Sequence, residues 1–134
     1  MSVLVADDSE PLRRAIRRCF GGQSEITLVG EARDFADAIR LAEQLRPDVV
    51  LLDLRMNDSY GLDALAAGPK LISTGATILA MSFTVDDDSK ALAKQIGAVG
   101  LLDKVNLYAE LILALRVLQR GPDGSSAGTA RKSD

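Results

Sequence analysis

The stretch Pro47-Asp48-Val49-Val50-Leu51-Leu52-Asp53 decides how the rest of the chain is to be read. Four apolar residues run without interruption and end on an acid. A strand with one wet face alternates apolar and polar side chains, so an unbroken run predicts a central strand covered on both faces. Short apolar runs recur on either side, at residues 3–6, 26–29, 77–81 and 99–102. Between them the spacing turns helical: Leu12, Ile16, Cys19 and Phe20, then Phe35, Ala38, Ile39, Ala42 and Leu45, then Leu92, Ala93 and Ile96. A short, weaker helix is predicted over residues 61–67, where Pro69 and Gly75 argue against a longer one, and a last helix over 106–119. Strands that alternate with helices make βαβ units. The prediction is an α/β fold: a doubly wound five-stranded parallel sheet with five helices.

Punctuation supports these boundaries. Ser9 and Asp34 stand where helix N-caps belong, Pro11 lies in a first turn, and Gly21, Pro47 and Gly97 follow helical stretches. The acids Asp86, Asp87 and Asp88 open a helix, where negative charge suits the positive end of the helix dipole, and they read as capping. One domain is expected over residues 1–119, followed by a disordered tail over 120–134, which has no apolar periodicity.

Composition narrows the chemistry. A net charge of −3 gives nucleic acid no basic face, and no apolar run approaches the roughly 20 residues of a membrane span. A soluble, cytoplasmic chain that contacts neither is expected. With no His and a single Cys19, zinc sites and imidazole bases are excluded, and Cys19 reads as an inert buried thiol. Any chemistry must rest on carboxylates, hydroxyls and lysines.

Three acids fall at the carboxyl ends of predicted strands, which is where parallel α/β sheets bind ligands. Asp7 and Asp8 end the first strand and Asp53 ends the third. Carboxylates brought that close repel one another unless a hard cation sits among them, and a small oxygen set favours Mg2+. Ser82 ends the fourth strand and Lys104 follows the fifth, adding a hydroxyl and a fixed positive charge at the same edge.

This combination resembles the receiver domain of two-component response regulators, over residues 2–119. The matching pieces are Val3-Leu-Val-Ala-Asp7-Asp8-Ser9, the Asp53 stretch through Met56, Ala80-Met-Ser82, and Gly97-Ala-Val-Gly-Leu-Leu-Asp-Lys104. Each is weak alone; their order and strand-end placement are specific together. The resemblance implies a flavodoxin-like (receiver) architecture and a phosphorylation switch. Asp53 would take a phosphoryl group from a histidine kinase or phosphotransfer protein, and Asp7, Asp8, Asp53 and the Arg55 carbonyl would hold Mg2+. Lys104 would neutralise the phosphoryl oxygens and Ser82 would hydrogen-bond them. The chain departs from the family pattern at Asn57, where Pro is common, at Tyr60-Gly61, where Asp-Gly is common, and at Leu101, in place of a switching Tyr or Phe.

Each residue also has a plainer reading. Asp7 and Asp8 alone would be capping acids, Asp53 a turn residue, Ser82 a satisfied buried hydroxyl and Lys104 a solvated lysine or a helix-approach residue. Arg13, Arg14, Arg17 and Arg18 form a basic face of the first helix, solvated or used for kinase docking. Two other functions stay open: a receiver-like interaction module that is never phosphorylated, and a Mg2+-dependent phosphatase with an Asp nucleophile. The second loses support because Arg55 stands where such enzymes place a general acid. A glycine-rich phosphate loop does not follow the first strand, which disfavours nucleotide binding. On the last helix Leu107, Leu111, Leu115 and Leu118 share a core face, while Ala109, Leu113 and Val117 make a second apolar stripe. That stripe is expected to serve a homodimer or an effector.

Overall fold

In the computed structural model, which describes residues 1–58 and 61–120, five strands form one sheet in the order β2-β1-β3-β4-β5, with every neighbouring pair parallel. The strands are β1 (Ser2–Ala6), β2 (Thr27–Ala32), β3 (Val49–Asp53), β4 (Thr77–Ser82) and β5 (Gly100–Asp103). The helices are α1 (Glu10–Phe20), α2 (Phe35–Leu45), α3 (Leu62–Ile72), α4 (Asp87–Gln95) and α5 (Leu107–Arg120). The expected doubly wound α/β sheet with five helices is what forms, and Val49 to Leu52 are buried on both faces of the middle strand.

Strand pleating divides the core in two, because successive side chains point to opposite faces. Val3, Val5, Val49, Leu51, Leu79, Met81 and Leu102 pack with Ile16 and Phe20 of α1 and Leu107, Leu111 and Leu115 of α5. Leu4, Ala6, Val50, Leu52, Ile78 and Ala80 pack with residues of α2, α3 and α4. Helices are thus sorted to two faces, and the chain reverses direction across the sheet between β1 and β3.

The caps act as the sequence suggested. Ser9 Oγ accepts from Leu12 N–H, the Asp34 carboxylate accepts from Asp37 N–H, and Asp86 accepts from Ser89 N–H at 2.8 Å. The Ser89 amide holds the Asp86 carboxyl below its ordinary range. Gly97, with φ +85°, turns the chain after α4 in a conformation that side chains resist.

Two expectations need correction. The third helix does not stop at Ala67 but continues through Pro69 to Ile72. Pro69 removes a helical donor, at a cost of about 3 kcal/mol in a helix interior. It sits on the exposed side of α3, where the Leu65 carbonyl can turn to water, while Ala64, Ala67, Gly68 and Leu71 are buried. Cys19 is half-buried rather than buried; partial burial pushes its thiol above the ordinary range. The expected tail lies outside the described residues except for Arg120, which completes α5. Tyr60 also lies outside them. Among the described residues, no helix is long and apolar enough to cross a membrane.

Candidate functional site

Where strand order reverses, the carboxyl ends of neighbouring strands open a crevice. Asp7 and Asp8 follow β1 directly, Asp53 closes β3, and one oxygen from each lies within 4.8 Å of the others. Asp7 is fully buried, Asp53 is 4% exposed and Asp8 faces solvent. Lys104 begins the turn after β5 and brings its ammonium 2.8 Å from Asp7 Oδ2 and 3.2 Å from Asp53 Oδ2. It does stand on the approach to α5, but it is not solvated: the side chain is buried, and two buried carboxylates hold it there. Above the ammonium lies the Phe83 ring, with its centroid 4.6 Å from Nζ, close enough for a cation–π contact.

Backbone amides orient each carboxylate. Ser9 N–H donates to Asp7 Oδ1 at 2.8 Å, Asn57 N–H to Asp8 Oδ2 at 2.9 Å, and Arg55 N–H to Asp53 Oδ1 at 3.1 Å. Asn57 reaches Asp8 from a left-handed conformation, φ 56°, which Asn tolerates better than most residues. Proline, common at this position in the family the sequence resembles, has no N–H to give and cannot adopt that φ. Burial raises the Asp53 carboxyl above its ordinary range; Lys104 works against this and Asp7 adds to it.

Three carboxylates against one ammonium leave two formal negative charges at the crevice. Asp7 Oδ2 is buried and accepts no hydrogen bond among the described residues; its close neighbour is the Lys104 ammonium, an ion pair at 2.8 Å. A hard divalent cation coordinated by oxygens matches both the charge and the orphaned oxygen. Ser82 is 3% exposed, and its Oγ accepts from Thr84 N–H at 3.1 Å. Since Asp53 pairs in register with Met81, Ser82 stands one residue further along the same edge. Leu101 is half-buried against the core on the α2, α3 and α4 face.

Arg13 departs from the expected solvated basic face. It is 5% exposed, and its guanidinium donates to the Asp7 carbonyl, to Glu31 and to Glu10. Arg17 bridges the same two glutamates, and Arg17 and Arg13 hold the Glu10 carboxyl below its ordinary range. Arg14 and Arg18 are exposed as expected. A signal for Arg13 was present: it precedes Ile16 by three residues and Phe20 by seven, which places it on the buried stripe, and β2 carries one acid, Glu31, to meet it. On the other flank of α1 a half-open groove of about 160 Å³ runs between α1 and α5, from Cys19 and Leu111 past Tyr108 to Lys104.

The family described as "Response regulator receiver domain" matches residues 3–116. The transcriptional regulatory protein LiaR of Bacillus subtilis (strain 168) is 34% identical over 119 residues, which are 89% of this chain and 56% of the relative. The response regulator GacA of Pseudomonas aeruginosa is 32% identical, over 90% of this chain and 56% of its own length. The chain spans about half the length of these curated relatives. Among solved structures, the signal receiver domain of the putative response regulator NarL from Mycobacterium tuberculosis superposes with a TM-score of 0.78 at 30% identity, covering 90% of this chain and 97% of that one.

Proposed function

The chain belongs to the response regulator receiver domain family, and from that premise we propose that it is a phosphorylation-dependent signalling switch with Asp53 as the phosphoryl acceptor. The observation that carries this reading is the Lys104 ammonium fixed between Asp7 and Asp53 at a crevice with two uncompensated negative charges. A carboxylate of this kind can form a mixed anhydride. An Asp53 oxygen attacks the phosphorus of a phosphohistidine on a partner kinase or phosphotransfer protein. The P–O bond forms as the P–N bond breaks, and the electron pair returns to the imidazole nitrogen.

The chain's own residues divide the remaining work. Lys104 neutralises charge on the transferring oxygens, and Ser82, whose Oγ accepts from Thr84, keeps its hydroxyl proton to donate to the attached phosphoryl group. Asp7, Asp8, Asp53 and the Arg55 carbonyl would hold Mg2+, which when bound supplies further charge neutralisation. The exposed bases Arg14 and Arg18 of α1 offer a docking surface to the phosphoryl donor. Output through a second copy or an effector uses the exposed stripe of α5. On this reading the protein works in the cytoplasm and catalyses only its own phosphoryl gain and loss.

Incubation with acetyl phosphate and Mg2+ should add one phosphoryl mass to the intact protein, and Asp53→Asn should abolish the addition. A generic phosphatase substrate should not turn over. Equal labelling of wild type and Asp53→Asn would sink the reading.

A further inference from the structure

We propose that Arg13 is a positioning residue, a buried clamp that holds the main chain of the Asp7–Asp8 loop in its cation-ready form. The proposal rests on the reading of that loop as a metal site, and it concerns what keeps the loop in place before any cation arrives.

The case begins with burial. An arginine is rarely so deeply buried unless its donors are matched, since leaving a guanidinium unpaired is costly. Arg13 spends one Nη on the Asp7 carbonyl, the other on Glu10, at 2.6 Å, and its Nε on Glu31, at 3.2 Å. These acceptors belong to three different elements: the end of β1, the first turn of α1 and the edge strand β2. A planar fork can serve them together, whereas an ammonium is a single point. Arg17 closes the outer side of the network by pairing with Glu10 and Glu31.

The bond to the Asp7 carbonyl is the one with functional reach. The Asp7 amide already donates to the Ala32 carbonyl at 3.0 Å, so with Arg13 on its carbonyl the peptide backbone of Asp7 is tied on both sides. Asp7 Oδ1 is tied by Ser9 N–H, which leaves Oδ2 turned toward Lys104 and the crevice. Nothing else among the described residues donates to the Asp7 carbonyl. Groups that fix a metal's ligands from behind typically govern metal affinity by about 10–100-fold.

Amide hydrogen exchange of the metal-free protein tests the clamp directly. In Arg13→Gln the Ser9 amide should exchange at least about tenfold faster than in wild type, while the Ser89 amide, bonded to Asp86 at the start of α4, keeps its rate. Calorimetric titration should then find Mg2+ affinity reduced at least about tenfold. Arg17→Gln, which opens only the outer side of the network, should leave the affinity within about twofold. The proposal is overturned if folded Arg13→Gln keeps the wild-type Ser9 exchange rate, or if Arg17→Gln loses as much Mg2+ affinity as Arg13→Gln. Should Arg13→Gln not fold, Arg13→Lys decides, and wild-type Ser9 exchange in that variant rejects the need for a forked donor. A wild-type protein that binds no Mg2+ defeats the functional reading, and the exchange data still judge the clamp.

Discussion

Asp53 sits under opposing influences whose balance has a measurable sign. Burial and the nearby Asp7 favour its neutral form, Lys104 and the Arg55 amide favour its charge, and the balance raises its pKa above the ordinary value of 3.8. A carboxyl raised by folding contributes stability that is complete below the unfolded pKa and is lost as pH rises through the folded one. Ionised Asp53 is therefore a cost to the metal-free fold near neutral pH. Asp53→Asn should unfold at a higher denaturant concentration than wild type near neutrality in the presence of a chelator, and the gap should close as the pH falls towards 4. Added Mg2+ should narrow the gap from the other side, by stabilising the wild type more than the variant. Asp8 is a different case: exposed and held by the Asn57 amide, it adds little to the core, and on the proposed reading its role is to help hold the cation. Asp8→Ala should reduce Mg2+ affinity at least about tenfold in calorimetric titration and shift metal-free stability by about 1 kcal/mol or less.

At the scale of elements, α3 shows where reading a sequence by punctuation fails. Pro69 suggested a stop, yet the positions Ala64, Ala67, Gly68 and Leu71 follow helical spacing and their burial outweighs one missing donor. Gly68 is the tightest point of that packing. A Cβ placed there would stand 2.7 Å from the Ile96 carbonyl oxygen and 2.9 Å from Ile96 Cβ, a collision with backbone that cannot swing aside. Gly68→Ala should therefore destabilise the protein by about 1–3 kcal/mol in urea unfolding, although alanine is the better helix former. β1, β3 and β4 were legible because their apolar runs are unbroken, whereas β2 was read only in part, since Gly30 and Glu31 carry it past the run at 26–29 to Ala32; the acids were legible because each ends a strand. Arg13 was misread because a charged residue was assigned to the wet face by type, when its distance from Ile16 and Phe20 placed it inward. Asn57 could not be read at all from spacing, since its contribution is a backbone N–H delivered from a left-handed conformation. Phe83 likewise gives no periodic signal, and only the fold brings its ring over Lys104.

At the scale of the whole molecule, the outer face of α5 has no covering layer among the described residues. α5 buries Leu107, Leu111 and Leu115 against the sheet, while Leu113 and Val117 remain 65% and 61% exposed, with Ala109 exposed beside them. Scattered surface leucines are ordinary, but three apolar positions at a spacing of four form a continuous stripe. A second copy could lay the same stripe against it around a twofold axis, since such an interface must be self-complementary. Magnitudes set the strength of that contact. Covering the exposed part of each Leu113 and Val117 side chain would contribute about 1–2 kcal/mol, hence about 4–8 kcal/mol for the four side chains of a dimer. Association costs about 4–15 kcal/mol in lost freedom, so the stripe alone supports only a weak dimer. A switch needs that near-balance, because a small change in the population of one conformation then decides the oligomeric state. Light scattering coupled to gel filtration should show self-association that grows with protein concentration and strengthens with phosphodonor and Mg2+. Leu113→Asp combined with Val117→Asp should keep the fold, since neither side chain is in the core, and should abolish any dimer or partner complex. A wild type that stays monomeric with and without phosphodonor, together with a double variant that retains full partner binding, would leave the stripe without this role.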